Sequence, residues 1–268
     1  MIFTEIFVYE FGRIALIGGI LSALSTSLLG NLVVLRKMTF MGSGIAHLSF
    51  IGVGLGLLIG YSPSLITLIV AIASALMLGY LSRKGVHEDV GIGVLFSTSM
   101  ALGIILINLS KEDSSRVMAY LFGDILAMSW KDVGTLGILA ALVFVFILIF
   151  RDHLVYATFD EDFSKILGIK IGAIYYTFLI LLASSIVLSI NMLGIILVSA
   201  MIVVPSASAM LVSKTYKGMF ILSPIISTIS VFAGLILSWI YDIPSGASIV
   251  LVQGLIFLFS FLVKVFGK

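Results

Sequence analysis

From Met38 to Ser82 the chain carries one titratable side chain besides its phenols, the imidazole of His47, in a long run of apolar and small residues. Such a run is long enough for two helices to cross a bilayer, since each crossing takes ~20 apolar residues. Inside hydrocarbon a helix pairs its backbone N–H and C=O groups within itself. A lone imidazole there is expensive, and it marks either a substrate or ion pathway or a polar contact to a neighbouring helix or the headgroups. Gly52, Gly56 and Gly60 follow at i, i+4 and i+8. They form one helix face that lets another helix come close, which predicts a central place in a bundle for this span.

The 268 residues are 61% hydrophobic and 10% charged, with a mean hydropathy of +1.28, whereas a soluble domain is ~25% charged. The expected fold class is an all-α polytopic membrane protein, one transmembrane domain over 1–268 with no room for a sizeable soluble domain. A net charge of +2 gives no argument for nucleic acid as a partner. Cysteine is absent, which excludes disulfides, thiolate ligands and cysteine nucleophiles. Any metal handled here meets nitrogen and oxygen donors, which suits zinc, manganese or iron(II). Glu5 and Glu10 stand where a signal peptide needs basic residues, so residues 1–13 read as a short interfacial amphipathic helix.

Charge-free runs at 14–35, 45–60, 64–82, 90–110 and 133–150 each meet or approach the length of a span. Residues 171–213 hold two more with a turn near 191–194, and 218–241 and 245–263 complete a count of about nine, with eight and ten as its neighbours. Residues 116–130 are the candidate for a tenth, re-entrant or interfacial element. With nine spans, Arg36, Lys37, Arg83, Lys84, Arg151, Lys165, Lys170, Lys214, Lys217, Lys264 and Lys268 fall on one side. Only Arg13, Lys111, Arg116 and Lys131 fall on the other. By the positive-inside rule the N-terminus is outside and the C-terminus cytoplasmic, in a multi-pass protein of the cell (inner) membrane.

Two cytoplasmic segments hold more than a turn. Thr158 and Glu161 have the spacing of a capping box and Gly168 supplies a stop, so a two-turn surface helix is expected over 159–168. Residues 194–217 pass from apolar residues through Pro205 into Ser206, Ala207, Ser208, Ala209 and Met210, closing on Lys214 and Lys217. A proline ends or kinks a helix. The plain reading is a kink in a membrane helix; the other is a span that breaks and continues as a short docking helix over 205–217.

Several chemistries fail on spacing. His87 and Glu88 begin a zinc-protease motif that Gly91 breaks. Asp160, Glu161 and Asp162 are no calcium loop, because Lys165 and Ile171 stand at its sixth and twelfth positions. Ser43 and His47 lie one turn apart, but a rhomboid-type serine protease needs G-x-S-G, and Met41 stands where the first glycine belongs. No P-loop occurs, since Lys214-Thr215 follows Ser213 where the motif needs glycine. The spans lack the acidic residues that gradient-driven carriers usually keep there, Asp124 being the one arguable case. Energy for pumping therefore points to a partner subunit.

These residues resemble the permease subunits of ATP-binding-cassette importers for zinc, manganese or iron. Arg36-Lys37-Met38, Met41-Gly42 and His47 look like that family's R-R-M…G-D-x-x-x-H segment, and Asp89, Ile92-Gly93 and Phe96-Ser97 look like its D-x-x-I-G-x-x-F-[ST] segment. Residues 120–129 resemble L-F-G-[DN]-I-L-x-x-S, 159–168 resemble F-D-x-x-x-A-x-x-x-G, and 194–210 resemble G-x-x-L-V-x-A-x-x-x-x-P-A-A-x-A. One departure stands out: the family's aspartate four residues before the histidine is Ser43 here. A neutral hydroxyl is a poor ligand, so a metal there binds more weakly or draws a carboxylate from elsewhere, with Asp124 and Asp89 as candidates.

The resemblance implies a divalent-metal permease that is not an enzyme and binds no cofactor of its own. Two copies would pair as a homodimer, an extracytoplasmic binding protein would deliver the metal, and cytoplasmic ATPase subunits would use ATP to drive alternating access. His47 would line the path with Ser43 beside it, and 205–217 would be the coupling helix seated in the ATPase. The alternatives are a permease for a metal chelate such as cobalamin or a siderophore, a gradient-driven carrier working alone, and, last, a membrane hydrolase.

Overall fold

The computed structural model describes residues 8–85, 88–110, 125–159 and 171–266, and for 88, 89, 159 and 191 the backbone alone. Nine helices among these are long and apolar enough to cross a membrane. They are α1 (Glu10–Leu35), α2 (Thr39–Ile59), α3 (Pro63–Arg83), α4 (Glu88–Ser110), α5 (Trp130–Phe159), α6 (Ile171–Leu193), α7 (Ile195–Val212), α8 (Tyr216–Tyr241) and α9 (Ser245–Phe266). The turn between α6 and α7 falls at Gly194, whose φ of 81° is open to a residue without a Cβ. Residues 10–13 are the first turn of α1 rather than part of a separate interfacial helix, and 1–7 lie outside the described residues. Phe159 closes α5, and 160–168 likewise lie outside. Of the candidate tenth element, the described part is a 3-10 turn at Ile125–Ala127, with Ile125 and Met128 buried against α1 at Gly19 and Gly18.

The centre of the bundle is α1, not α2. Some 78% of the apolar window of α1 is buried, against 61% for α2 and 17% for α4 and α9. The cause is a run of small side chains on α1, including Gly18, Gly19, Ser22, Ala23, Ser25, Thr26, Ser27 and Gly30, all buried. A Cβ on Gly30 would land on the Ile202 carbonyl oxygen and within 2.8 Å of Ser206 Oγ on α7. Polar side chains of α6, α7 and α8 then bond to α1. Ser206 Oγ donates to the Ser27 carbonyl at 3.1 Å, and Ser189 Oγ donates to Ser22 Oγ at 3.2 Å. Asn31 Nδ2 donates to Ser223 Oγ at 2.7 Å.

Against this hub, α2, α3 and α4 pack chiefly on one another, joined to the rest through α6 and α7. Gly52 and Gly56 do let α3 approach, since a Cβ on either would collide with the backbone of Thr67 or Pro63. Gly60 does not belong to that face. It is the left-handed C-cap of α2, at φ 71°, with nothing within 4 Å of where a Cβ would stand. Aromatic rings gather at the end of the bundle opposite Arg36, as expected of a membrane interface. Tyr9, Phe11 and Trp239 cluster there, and Trp130 Nε1 donates to Glu10 Oε1 at 2.8 Å.

Candidate functional site

His47 stands two turns inside α2, eight residues from its start, which places it ~12 Å along the axis from that end. The helix is gripped on several sides around it. Gly44 faces Ile92 and Gly54 faces Leu106, both on α4, while Gly42 lies against Ile202 of α7. The ring is half-buried and lies 4.4 Å from the ring of Phe96 on α4, centroid to centroid. Its Nδ1 is 2.8 Å from the Ser43 carbonyl oxygen one turn earlier. A carbonyl only accepts, so Nδ1 carries the proton in that bond. In the neutral ring Nε2 then keeps its lone pair, which can accept a hydrogen bond or ligate a metal.

Ser43 is half-buried on the same face, and its backbone rather than its hydroxyl makes the link to the imidazole. Of the other candidate ligands only the backbone of Asp89 is among the described residues. Asp89 follows the first residue of α4, seven residues before Phe96, so its backbone lies ~10 Å from the level of the imidazole along a parallel helix. Asp124 lies outside the described residues. Among the described residues no three His, Asp or Glu side chains converge. Glu10 and Asp132 stand in the first turns of α1 and α5, while Asp152 lies two turns inside the other end of α5, 3.3 Å from Arg151 Nε.

The segment 205–217 differs from the expected break. α7 runs without interruption from Ile195 to Val212 with Pro205 inside it. Pro205, Ser206, Ser208 and Ala209 are buried against the bundle, and Ala207 is half-buried. The missing amide of Pro205 costs one hydrogen bond, which tight packing on α1 offsets. Met210, Val212, Lys214, Thr215 and Lys217 are the exposed members of the segment, at the end of the bundle that also carries Arg36 and Arg83. Thr215 caps α8 there by accepting from Gly218 N–H at 3.1 Å.

A buried small-residue hub, a tethered imidazole partway along a span and exposed cations at one end are now placed on nine spans. Residues 8–264 match the ABC 3 transport family. The chain belongs to that family. The ABC 3 transport relatives include the manganese transport system membrane protein MntC of Halalkalibacterium halodurans, 36% identical over 261 residues, covering 97% of this chain and 89% of that one. The zinc uptake membrane protein ZnuB of Haemophilus influenzae is 30% identical, covering 92% and 95%. Among solved structures, PsaBC from Streptococcus pneumoniae in complex with Fab superposes with a TM-score of 0.83 at 31% identity, over 94% of this chain and 91% of that one. A transporter described as of metal-chelate type is alike in fold alone, with a TM-score of 0.75 at 17% identity. As an ABC 3 transport protein the chain is a multi-pass permease of the cell membrane, a transporter and not an enzyme.

Proposed function

We propose that this permease carries a divalent metal ion, manganese or zinc before iron, and that His47 is a transient ligand on the path. The observation that carries the reading is the Nδ1–H bond to the Ser43 carbonyl, which orients a neutral imidazole with its Nε2 lone pair available inside a span. The printed names of the relatives, manganese for one and zinc for another, support the choice of cargo. A single imidazole beside a neutral hydroxyl is a weak site, which suits passage, because a transit site that binds too tightly does not release.

Power comes from cytoplasmic ATPase subunits that hydrolyse ATP, and a binding protein outside delivers the metal. The cation-rich end of the bundle is the cytoplasmic one, so the N-terminus is outside. The coupling surface lies on the exposed part of 205–217, with Met210, Lys214 and Lys217 its candidate contacts, while Pro205, Ser206, Ala207, Ser208 and Ala209 hold it rigidly from below. A second copy of the chain completes the permease as a homodimer. Asp89 and Asp124 remain candidate donors to the ion in another conformation or from the second copy.

The decisive experiment is His47→Ala in the assembled transporter, reconstituted in proteoliposomes and assayed with radioactive manganese and zinc. Uptake falls at least tenfold while ATPase assembly is retained; undiminished uptake removes His47 from the path. In the same system the chain without its ATPase moves no metal beyond empty vesicles. A flux from the isolated chain would restore the gradient-driven carrier.

A further inference from the structure

The chain has one glutamine, Gln253, in the middle of α9. The residue is fully buried, and neither Nε2 nor Oε1 has a hydrogen-bond partner among the described residues. A primary amide carries two donors and an acceptor oxygen. Inside a span, leaving those groups dry and unpaired is costly.

The packing of α9 sets the level of this amide. The spans α7, α8 and α9 follow one another through short connections and alternate in direction. A Cβ on Gly246 would stand 3.6 Å from the Leu193 carbonyl oxygen and 3.8 Å from Leu197 Cβ. Gln253 is two turns further along α9, ~10.5 Å, which brings it level with 200–204 of α7. On the other side Ile249 meets Gly234 of α8, so one turn on Gln253 comes level with Ser230. Ser230 is fully buried, and its hydroxyl donates to the Ile226 carbonyl at 2.8 Å, which leaves its oxygen able to accept.

At this level α7 has a backbone group to satisfy. Pro205 sits inside the helix and has no amide, so the Met201 carbonyl is deprived of its donor four residues on. Met201 is fully buried. It follows Leu197 by four residues and therefore lies on the flank of α7 that meets Gly246. Gly30 of α1 meets α7 on another flank, at Ile202 and Ser206. Groups freed by a proline in a membrane helix are paired again by neighbouring helices or by ordered water.

We infer that Gln253 holds one ordered water against the Met201 carbonyl, with Ser230 as its neighbour on α8. Amide and carbonyl stand at one level on packed helices and do not bond directly, the arrangement that a bridging water completes. A buried water needs two to four polar partners, and the amide, the carbonyl and the hydroxyl supply three. All three are neutral, which suits water rather than an ion. The proline break in α7 is thereby served from α9.

The test uses the full-length permease in neutral detergent. Because the chain has one glutamine, isotopic labelling of glutamine side chains gives a single amide signal, and magnetisation transferred to it from water reads the contact directly. Such transfer is expected; a resolved amide signal that receives none overturns the inference. The link to Pro205 is read by a double-mutant cycle on the unfolding midpoint. Gln253→Met, close in size but without the amide, lowers the midpoint by a few degrees in the otherwise native chain. In Pro205→Ala, where alanine returns an amide to Met201, the same change leaves the midpoint level or raises it. An equal loss in both backgrounds would make Gln253 a packing residue unconnected with Pro205 and overturns the bridge. So does a midpoint that rises on Gln253→Met in the native chain, the mark of an amide that is dry.

Discussion

At the scale of the residue, the pair that matters is Ser43 and His47. The resemblance puts an aspartate where this chain has Ser43, and the serine is attached to the imidazole through its carbonyl. A carboxylate on the same turn would add a charged oxygen ligand to the one nitrogen. Ser43→Asp is therefore expected to tighten manganese binding about tenfold, ~1.4 kcal/mol, as measured by equilibrium dialysis on the purified permease. The gain should vanish in Ser43→Asp/His47→Ala, since two groups that share an ion are coupled; a gain that survives loss of the imidazole means the two do not act on one ion. His47 was legible in the sequence because an imidazole stands out in an uncharged run. Its tautomer was not, because the tautomer is set by a distance to a backbone atom that spacing alone leaves open.

At the scale of the element, α1 and α7 show why some of the architecture escaped a reading by motif. The spans themselves are legible, since charges cannot be hidden in hydrocarbon and mark most boundaries, while glycine marks the uncharged turns at Gly60 and Gly194. The hub is harder to see. Regular glycine spacing drew attention to α2, whereas the residues that bring α7 and α8 onto α1 mix glycine, alanine, serine and threonine without a simple period. Pro205 misleads in the same way, because its effect on a helix depends on whether neighbours hold the helix together, and here Gly30 of α1 meets the backbone at Ile202 one turn away. Magnitudes decide what secures this contact. An interhelical hydrogen bond in a membrane averages ~0.6 kcal/mol, while overpacking a tight contact costs ~1–3 kcal/mol. Gly30→Ala should thus lower the unfolding midpoint well beyond Asn31→Ala, although Asn31 makes the 2.7 Å bond to Ser223. The reverse order would mean that polar bonds, and not close approach, hold the hub.

At the scale of the whole molecule, the bundle keeps its small residues inside and turns most of its described cations to one end, opposite Arg13 and Lys131. Burial separates two roles within 205–217 that the bare sequence merges. A tryptophan at Ala209, which is fully buried, would test packing, whereas Met210 is 44% exposed and Lys214 is exposed beside it. Met210→Glu/Lys214→Glu is expected to cut ATP-driven metal uptake several-fold in the reconstituted transporter, with the unfolding midpoint of the permease unchanged. Normal coupling would move the contact with the ATPase elsewhere. The tether on His47 also reaches up to this scale. With Nδ1 committed to the backbone, the ring has one lone pair to offer, and a zinc ion fills four places and a manganese ion up to six. On the proposed path, an ion held by His47 alone would exchange only a fraction of its hydration shell for protein at this level of the membrane, and the conduit would have to admit a cation still wearing water.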